Sequence, residues 1–260
     1  IFIDLIMYNN AELVQSAMSI LMTHHSSKKV LLSNIQRMQV LVNHRRETQF
    51  QKLDGLVLLL KRESDTHDIW GRLNTEEHKH TSAEAHRALK EIKMLCHKRR
   101  EVLKFDEEFE PDRIIQDILR NLGMFDVCVK IIQLLDSMDP HNPNSEQNKN
   151  TRTLALEASE LLYWFVLDNE QNQALSYKHI AFFIKHIDEK VKLHRVLEAI
   201  FYNNEFLMKS IPRQYIYDCV DMILQSGRFM QYLSLLGSVV ACGEKNMIDN
   251  QYEIIRILAS

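Results

Sequence analysis

A chain of 260 residues, 45% hydrophobic and 26% charged, can bury about 70–75% of the surface its unfolded form exposes. Its net charge of −3 argues against a nucleic-acid-binding surface, which carries a clear basic excess, and its six glycines and four prolines suit long helices with few tight turns. The longest apolar runs, residues 56–60 and 161–167, fall far short of the ~18 residues that span a bilayer.

Residues 1–63 predict N-terminal helical hairpins. An apolar segment at 1–7 is followed by a stripe of Leu13, Ala17, Ile20 and Leu21, and beyond Ser26-Ser27 by Val30, Leu31, Ile35, Met38, Leu41 and Val42. The helix 49–62 then carries Leu53, Leu56, Val57 and Leu60, with Trp70 anchoring its end. Residues 64–110 read as a polar, partly mobile connection. The apolar rhythm fails from Ser64 to Thr81, and one amphipathic helix follows over 82–105 (Ala85, Leu89, Ile92, Leu95, Leu103), with the basic tail His97-Lys98-Arg99-Arg100. Asp106, Glu107, Glu108, Glu110 and Asp112 suit a helix start. Residues 111–260 form the third part, with a helix ending at Gly123, a loop at 139–150 marked by Pro140 and Pro143, and further helical faces to Leu258.

The chain is organised around residues 154–184. Leu154, Ala158, Leu161, Leu162, Phe165 and Val166 lie at helical spacing, a polar corner occupies 168–173, and Ala174, Leu175, Tyr177, Ile180, Phe183 and Ile184 form a second stripe. Neither helix buries its face alone, so neighbouring hairpins are required. Phe183, Val220 and Ile255, spaced by 37 and 35 residues, suggest a helical repeat. The fold class expected is all-α, an armadillo/HEAT-like α-solenoid of stacked helical hairpins, with Leu161, Trp164, Phe165, Ile180 and Phe183 at its centre.

Candidate chemistry is sparse. His78, His80, His86 and Cys96 lack the paired spacing of a structural zinc site and read as solvated groups in the connection. The acidic run 106–112 lacks the ligand alternation and glycine of a calcium loop. No phosphate loop, nucleophile elbow or zinc-protease helix is present. Catalytic, cofactor-binding and metal-ligating residues are therefore assigned to none, and no cofactor is expected. Thr48 and Ser64 follow basic pairs that a kinase would accept. Lys28-Lys29, Arg45-Arg46 and Lys98-Arg99-Arg100 read as solvated faces. Cys96, Cys128, Cys219 and Cys242 form no CxxC pair and suit a reduced, intracellular setting.

Residues 119–123 (Leu-Arg-Asn-Leu-Gly) and the corner Asn169-Glu170-Gln171-Asn172-Gln173-Ala174-Leu175, followed by Lys178-His179-Ile180, resemble the armadillo-like homology domain of inositol trisphosphate and ryanodine receptors. Asn203-Asn204-Glu205-Phe206, Gly227-Arg228 and Gln231-Tyr232 extend the likeness, as do Leu13, Ala17, Leu21, His24, Gln39, Leu53-Asp54 and Trp70 upstream. The order of motifs resembles the second copy of that domain in the inositol trisphosphate receptor. The resemblance implies a segment on the cytosolic face of the endoplasmic reticulum membrane. Such a segment relays conformational change between ligand-binding lobes and a calcium-release pore. Its implied partners are other domains of the same receptor, neighbouring subunits of a homotetramer and protein regulators, with no nucleic acid and no membrane contact. The basic cluster that holds the ligand in this family has no counterpart here. The alternative is an armadillo-type interaction scaffold unrelated to channels, and a metal-dependent enzyme stands behind both.

Overall fold

A computed structural model of the chain describes residues 10–24, 44–65, 73, 75–99, 109–187, 190–226 and 230–259. It divides into two compact units, residues 1–48 and 49–260. In the first, Asn10 starts α1 (Ala11–His24) by accepting from Leu13 N at 3.2 Å. Ala17 is buried there, while Leu13 and Ile20 of the expected stripe are exposed. The stripe at 30–42 lies outside the described residues. Helix α2 (His44–Asp65) begins in the first unit, and in the second it buries Leu53, Val57 and Leu60.

Helix α3 (Glu76–Leu95) corrects the reading of residues 64–110. It starts inside the stretch expected to be a connection and ends ten residues before the expected end. Thr75 caps it by accepting from His78 N at 3.2 Å, and Glu76 and Glu77 favour the positive end of the helix dipole. Its polar composition hid a narrow inward face of Ser82, Ala85, Ala88, Leu89 and Ile92, which is all a helix packed on one side needs. The basic run is likewise no helix tail. His97–Arg99 forms β1, paired antiparallel with β2 (Phe109–Pro111), and Asp112 N closes the ladder on Cys96 O at 2.8 Å.

Asp112 then caps α4 (Arg113–Asn121). Gly123, at φ 69°, turns the chain into α5 (Met124–Gln133), and a Cβ there would meet Lys61 Nζ at 3.3 Å. A 3₁₀ turn (Leu134–Ser137) leads to α6 (Glu146–Val166), capped by Ser145. The loop expected at 139–150 is thus shorter, with 146–150 as the first turn of α6. Asn148 ties that turn back to the loop by donating to Asp139 O at 2.8 Å and Asn142 O at 2.9 Å.

The remaining elements are α7 (Glu170–Tyr177), α8 (Ile180–Lys185), α9 (Leu193–Phe201), α10 (Glu205–Lys209), α11 (Arg213–Ser226), α12 (Met230–Gly237), the hairpin β3 (Ala241–Cys242) and β4 (Lys245–Asn246), and α13 (Ile248–Leu258). Cys242 therefore stands on a strand, and Gly243 (φ 59°) makes the hairpin turn.

Helices α3, α5 and α9 all pack on α6, α9 carries α12, and α11 carries both α12 and α13. The class is all-α, and the central-hairpin expectation holds for Leu161, Phe165, Ile180 and Phe183, all buried. Trp164 departs from it. It is half-buried at a rim, tilted against His97 with centroids 4.8 Å apart. The proposed echo fails at its third member, because Ile254 faces inward and Ile255 is 66% exposed.

The α3–α6 contact contains a titratable joint. His86 Nδ1 lies 2.7 Å from Glu157 Oε2 and Nε2 lies 3.0 Å from Asn150 Oδ1, while Lys90 approaches Glu157 Oε1 at 3.3 Å and Ser82 Oγ donates to Asn150. Burial lowers the imidazole pKa and Lys90 opposes protonation. The hydrogen bonds to Glu157 and Asn150 and the charge of Glu157 outweigh them, so the net shift is upward. A group raised on folding stabilises fully below its unfolded value of ~6.5 and loses that contribution as pH rises through the folded value. The stability gap between the native chain and His86→Gln, read from urea midpoints, is expected to be wide at pH 6 and to shrink by pH 8. A gap independent of pH would show that the joint holds a neutral imidazole.

Candidate functional site

The corner at 168–173 is where the residues are least ordinary for a helical core. Helix α6 ends at Val166, and the chain reverses through Asp168 in the left-handed region (φ 56°) before α7 begins at Glu170. The bend is therefore only residues 167–169, and the expected corner 168–173 is half helix. The buried face of α7 is Asn172, Gln173 and Ser176, whereas Ala174, expected in the core, is exposed.

These amides satisfy the carbonyls that a helix end leaves without partners. Tyr163 O accepts from Leu167 N and Val166 O from Asn169 N. Gln116 of α4, fully buried, donates Nε2 to Trp164 O at 2.7 Å and Leu167 O at 2.8 Å, and Asn172 Nδ2 donates to Phe165 O at 2.7 Å. Asn169 caps α7 through Asn172 N and donates to Gln116 Oε1 at 3.0 Å. Arg120 Nη1 completes the cluster on Asn172 Oδ1 (2.9 Å) and Asp117 Oδ1 (2.6 Å).

The arrangement recurs one helix pair later. Helix α9 ends at Phe201, Asn203 takes φ 52°, and Asn204 caps α10 by accepting from Leu207 N at 3.1 Å. Gln173 Nε2 donates to Ala199 O (3.0 Å) and Tyr202 O (2.7 Å), and Asn204 Nδ2 donates to Gln173 Oε1 at 2.8 Å. Each acceptor and cap lies 35 residues beyond its counterpart: Trp164 and Ala199, Leu167 and Tyr202, Asn169 and Asn204. Gln116 and Gln173 each stand at the fourth position of a helix whose cap is Asp112 or Asn169. The third such helix carries Met208 at that position, and there Asn250 bridges Met208 O (3.0 Å) and Val239 O (2.9 Å) instead. The ends of α6 and α9 are thus each clasped by an amide from an earlier helix, and the third bridge comes from the later helix α13.

Gln116 and Asp117 were absent from the sequence reading, and Arg120 and Asn204 entered only as part of a likeness. The signal that finds them is the spacing of cap and glutamine, Asp112 to Gln116 and Asn169 to Gln173. A search for apolar stripes passes over it.

The other candidate groups do not converge. His80 is exposed beside Glu84, His86 is held by Glu157, and Cys96 is buried in the core. Among the described residues no three His, Cys, Asp or Glu side chains are placed to hold a metal. Burial pushes the Cys96 and Cys128 thiols well up and Cys219 to about 12, so these sulfurs stay protonated and unreactive at neutral pH. Ser64 is 7% exposed and donates to Lys61 O at 2.9 Å, so a kinase would have to unwind the end of α2 to reach it. Thr48 is exposed on the same helix, its hydroxyl bonded to His44 O. Of the acidic run, Asp112 is a buried cap paired with Lys98 Nζ at 3.0 Å, and 106–108 lie outside the described residues. Lys28 and Lys29 lie outside them too. No described helix is long and apolar enough to cross a membrane.

Residues 96–260, from the β1–β2 hairpin through α13 and including every amide clasp, match the RIH domain, the homology region of ryanodine and inositol trisphosphate receptors. The inositol 1,4,5-trisphosphate receptor itr-1 of Caenorhabditis elegans is 27% identical over 153 residues, 56% of this chain. The chain spans 5% of that receptor's length. With more than half of its residues inside the match, the chain belongs to the RIH-domain family of inositol trisphosphate and ryanodine receptors.

Proposed function

We propose that this chain is a central helical segment of an inositol trisphosphate-gated calcium-release channel, an α-solenoid that relays conformational change between the ligand-binding lobes and the pore. It would work on the cytosolic face of the endoplasmic reticulum, against other domains of the same receptor, neighbouring subunits of a homotetramer and protein regulators. No catalytic step enters this role. The observation that carries the reading is the repeated amide clasp. A relay needs elements that move as one body and joints at defined places. Here Gln116 locks α4 to the end of α6, and Gln173 locks α7 to the end of α9, so a tilt imposed on one pair is handed to the next. Family membership supports the setting.

The test is made in the parent receptor. Gln173→Ala is expected to leave ligand binding to the remote lobe unchanged while reducing ligand-evoked release from permeabilised cells several-fold. Unchanged release, with the variant receptor assembled and present at normal levels, would sink the relay role.

A further inference from the structure

Between the end of α3, the β1–β2 hairpin, the middle of α6 and the start of α9 lies a cleft of about 380 Å³. Among the described residues three cations border it, Lys93, Lys192 and Arg195, against a single carboxylate, Glu160. Glu160 takes Lys93 Nζ on Oε2 at 2.7 Å and Lys192 Nζ on Oε1 at 3.3 Å, drawing both ammonium groups to one point. Burial pushes that carboxyl pKa up, but the two lysines outweigh it and hold it below the usual range, so Glu160 is ionised at neutral pH. One carboxylate does not neutralise three cations, so the described lining carries a positive surplus. Lys192 is 45% exposed and Lys93 26%. The Arg195 guanidinium lies 4.3 Å from the centroid of the Tyr163 ring, which orients it without cancelling its charge.

The wall between these cations is aromatic. Trp164 stands edge-on to Tyr163 at 5.2 Å and tilted on His97 at 4.8 Å. Burial and the neighbouring Lys93 push the His97 pKa down, so this ring contributes surface rather than charge. The chain itself shows what suits the place. Phe109, from the stretch of sequence Asp-Glu-Glu-Phe-Glu-Pro-Asp at 106–112, sets its ring edge-on against His97 at 4.8 Å, on the rim of the cleft.

We propose that this cleft is a docking site for an acidic linear segment of a partner protein that carries an aromatic side chain between carboxylates. Its ring would lie against Trp164 and Tyr163, and its carboxylates would reach Lys192 and Arg195. Aromatic anchors seated in a pocket with a charged rim are the usual carriers of affinity in such contacts, and the rim charges set the approach and its salt dependence.

The experiment uses the full 260-residue chain with Trp70→Phe, so that emission reports Trp164 alone, and a fluorescein-labelled Asp-Glu-Glu-Phe-Glu-Pro-Asp peptide. Saturable binding by polarisation is expected, weakening as salt rises and shifting Trp164 emission. Lys192→Gln with Arg195→Ala, and separately a peptide with Ala in place of Phe, should each weaken it about tenfold or more. Arg113→Ala, outside the cleft, should leave it unchanged. Helical circular dichroism checks folding. If the double variant does not fold, Lys192→Asn carries the comparison, since position 192 sits at φ 59°, a conformation asparagine accepts. Equal affinity for the cleft variants would overturn the proposal. So would equal affinity for the Phe-less peptide, or inorganic phosphate moving Trp164 emission as far as the peptide does, which would mark a small-anion site.

Discussion

Replacing Gln173 by alanine is expected to lower the unfolding free energy by about 3–5 kcal/mol, measured by urea denaturation. Gln173 is 1% exposed, and its amide is bonded on both sides. Removing it leaves Ala199 O, Tyr202 O and the Asn204 amide without the partner each now has. A buried polar group stripped of its partner costs about 1–3 kcal/mol, and three are affected, although water entering at exposed Tyr202 and half-buried Asn204 recovers part of it. Packing alone is a smaller matter here, and Gln173→Met separates the two. Methionine keeps most of the volume and loses every hydrogen bond, so it should retain well over half of the alanine penalty. A near-neutral Gln173→Met would show that the clasp is volume and not hydrogen bonding. Asn204→Ala should be markedly non-additive with Gln173→Ala, because the two share one bond.

Most helices from residue 111 onward were legible because they carry an apolar stripe at the helical period, whereas α7 buries amides and α10 was not read as a helix. The buried Leu161, Phe165, Ile180 and Phe183 follow directly from such stripes. The amide clasps were not legible in the same way. Asn172 and Gln173 read as a polar corner because polar side chains between apolar runs are normally solvated. Their burial depends on carbonyls at the end of a different helix, which no local pattern displays. Helix α3 was misjudged for a related reason. Its inward face is small, Ser82, Ala85 and Ala88 beside Leu89 and Ile92, and its polar positions are occupied by partners on α6, such as Glu157 for His86 and Glu160 for Lys93. The basic run at 97–99 turned into a strand because residues 109–111 come back to pair with it, an event remote in sequence. Trp164 shows the limit of composition. An indole beside Tyr163 and Phe165 suggests a core, yet on a helix one step around the axis carries it from Phe165's buried face to the rim beside His97.

That rim-and-core distinction sets the second large effect. Phe165→Ala is expected to lower stability by about 3–5 kcal/mol, which for a domain of this size corresponds to a fall in Tm of roughly 8–15 °C. Phe165 is 1% exposed, on the face of α6 that meets α5, with the Phe125 ring 6.2 Å away and tilted by 30°. The space a phenyl ring leaves between two packed helices closes only as far as the helices can shift. Here Asn172 and Gln116 pin the end of α6 within one turn of the vacancy, by bonds to Phe165 O and to Trp164 O. Collapse is therefore resisted, and the cost should sit in the upper part of the range. Trp164→Ala removes a larger side chain from a half-buried position and should cost clearly less. Equal losses for the two variants, or a greater loss for Trp164, would place the centre of the fold on the cleft side of α6, against the packing described.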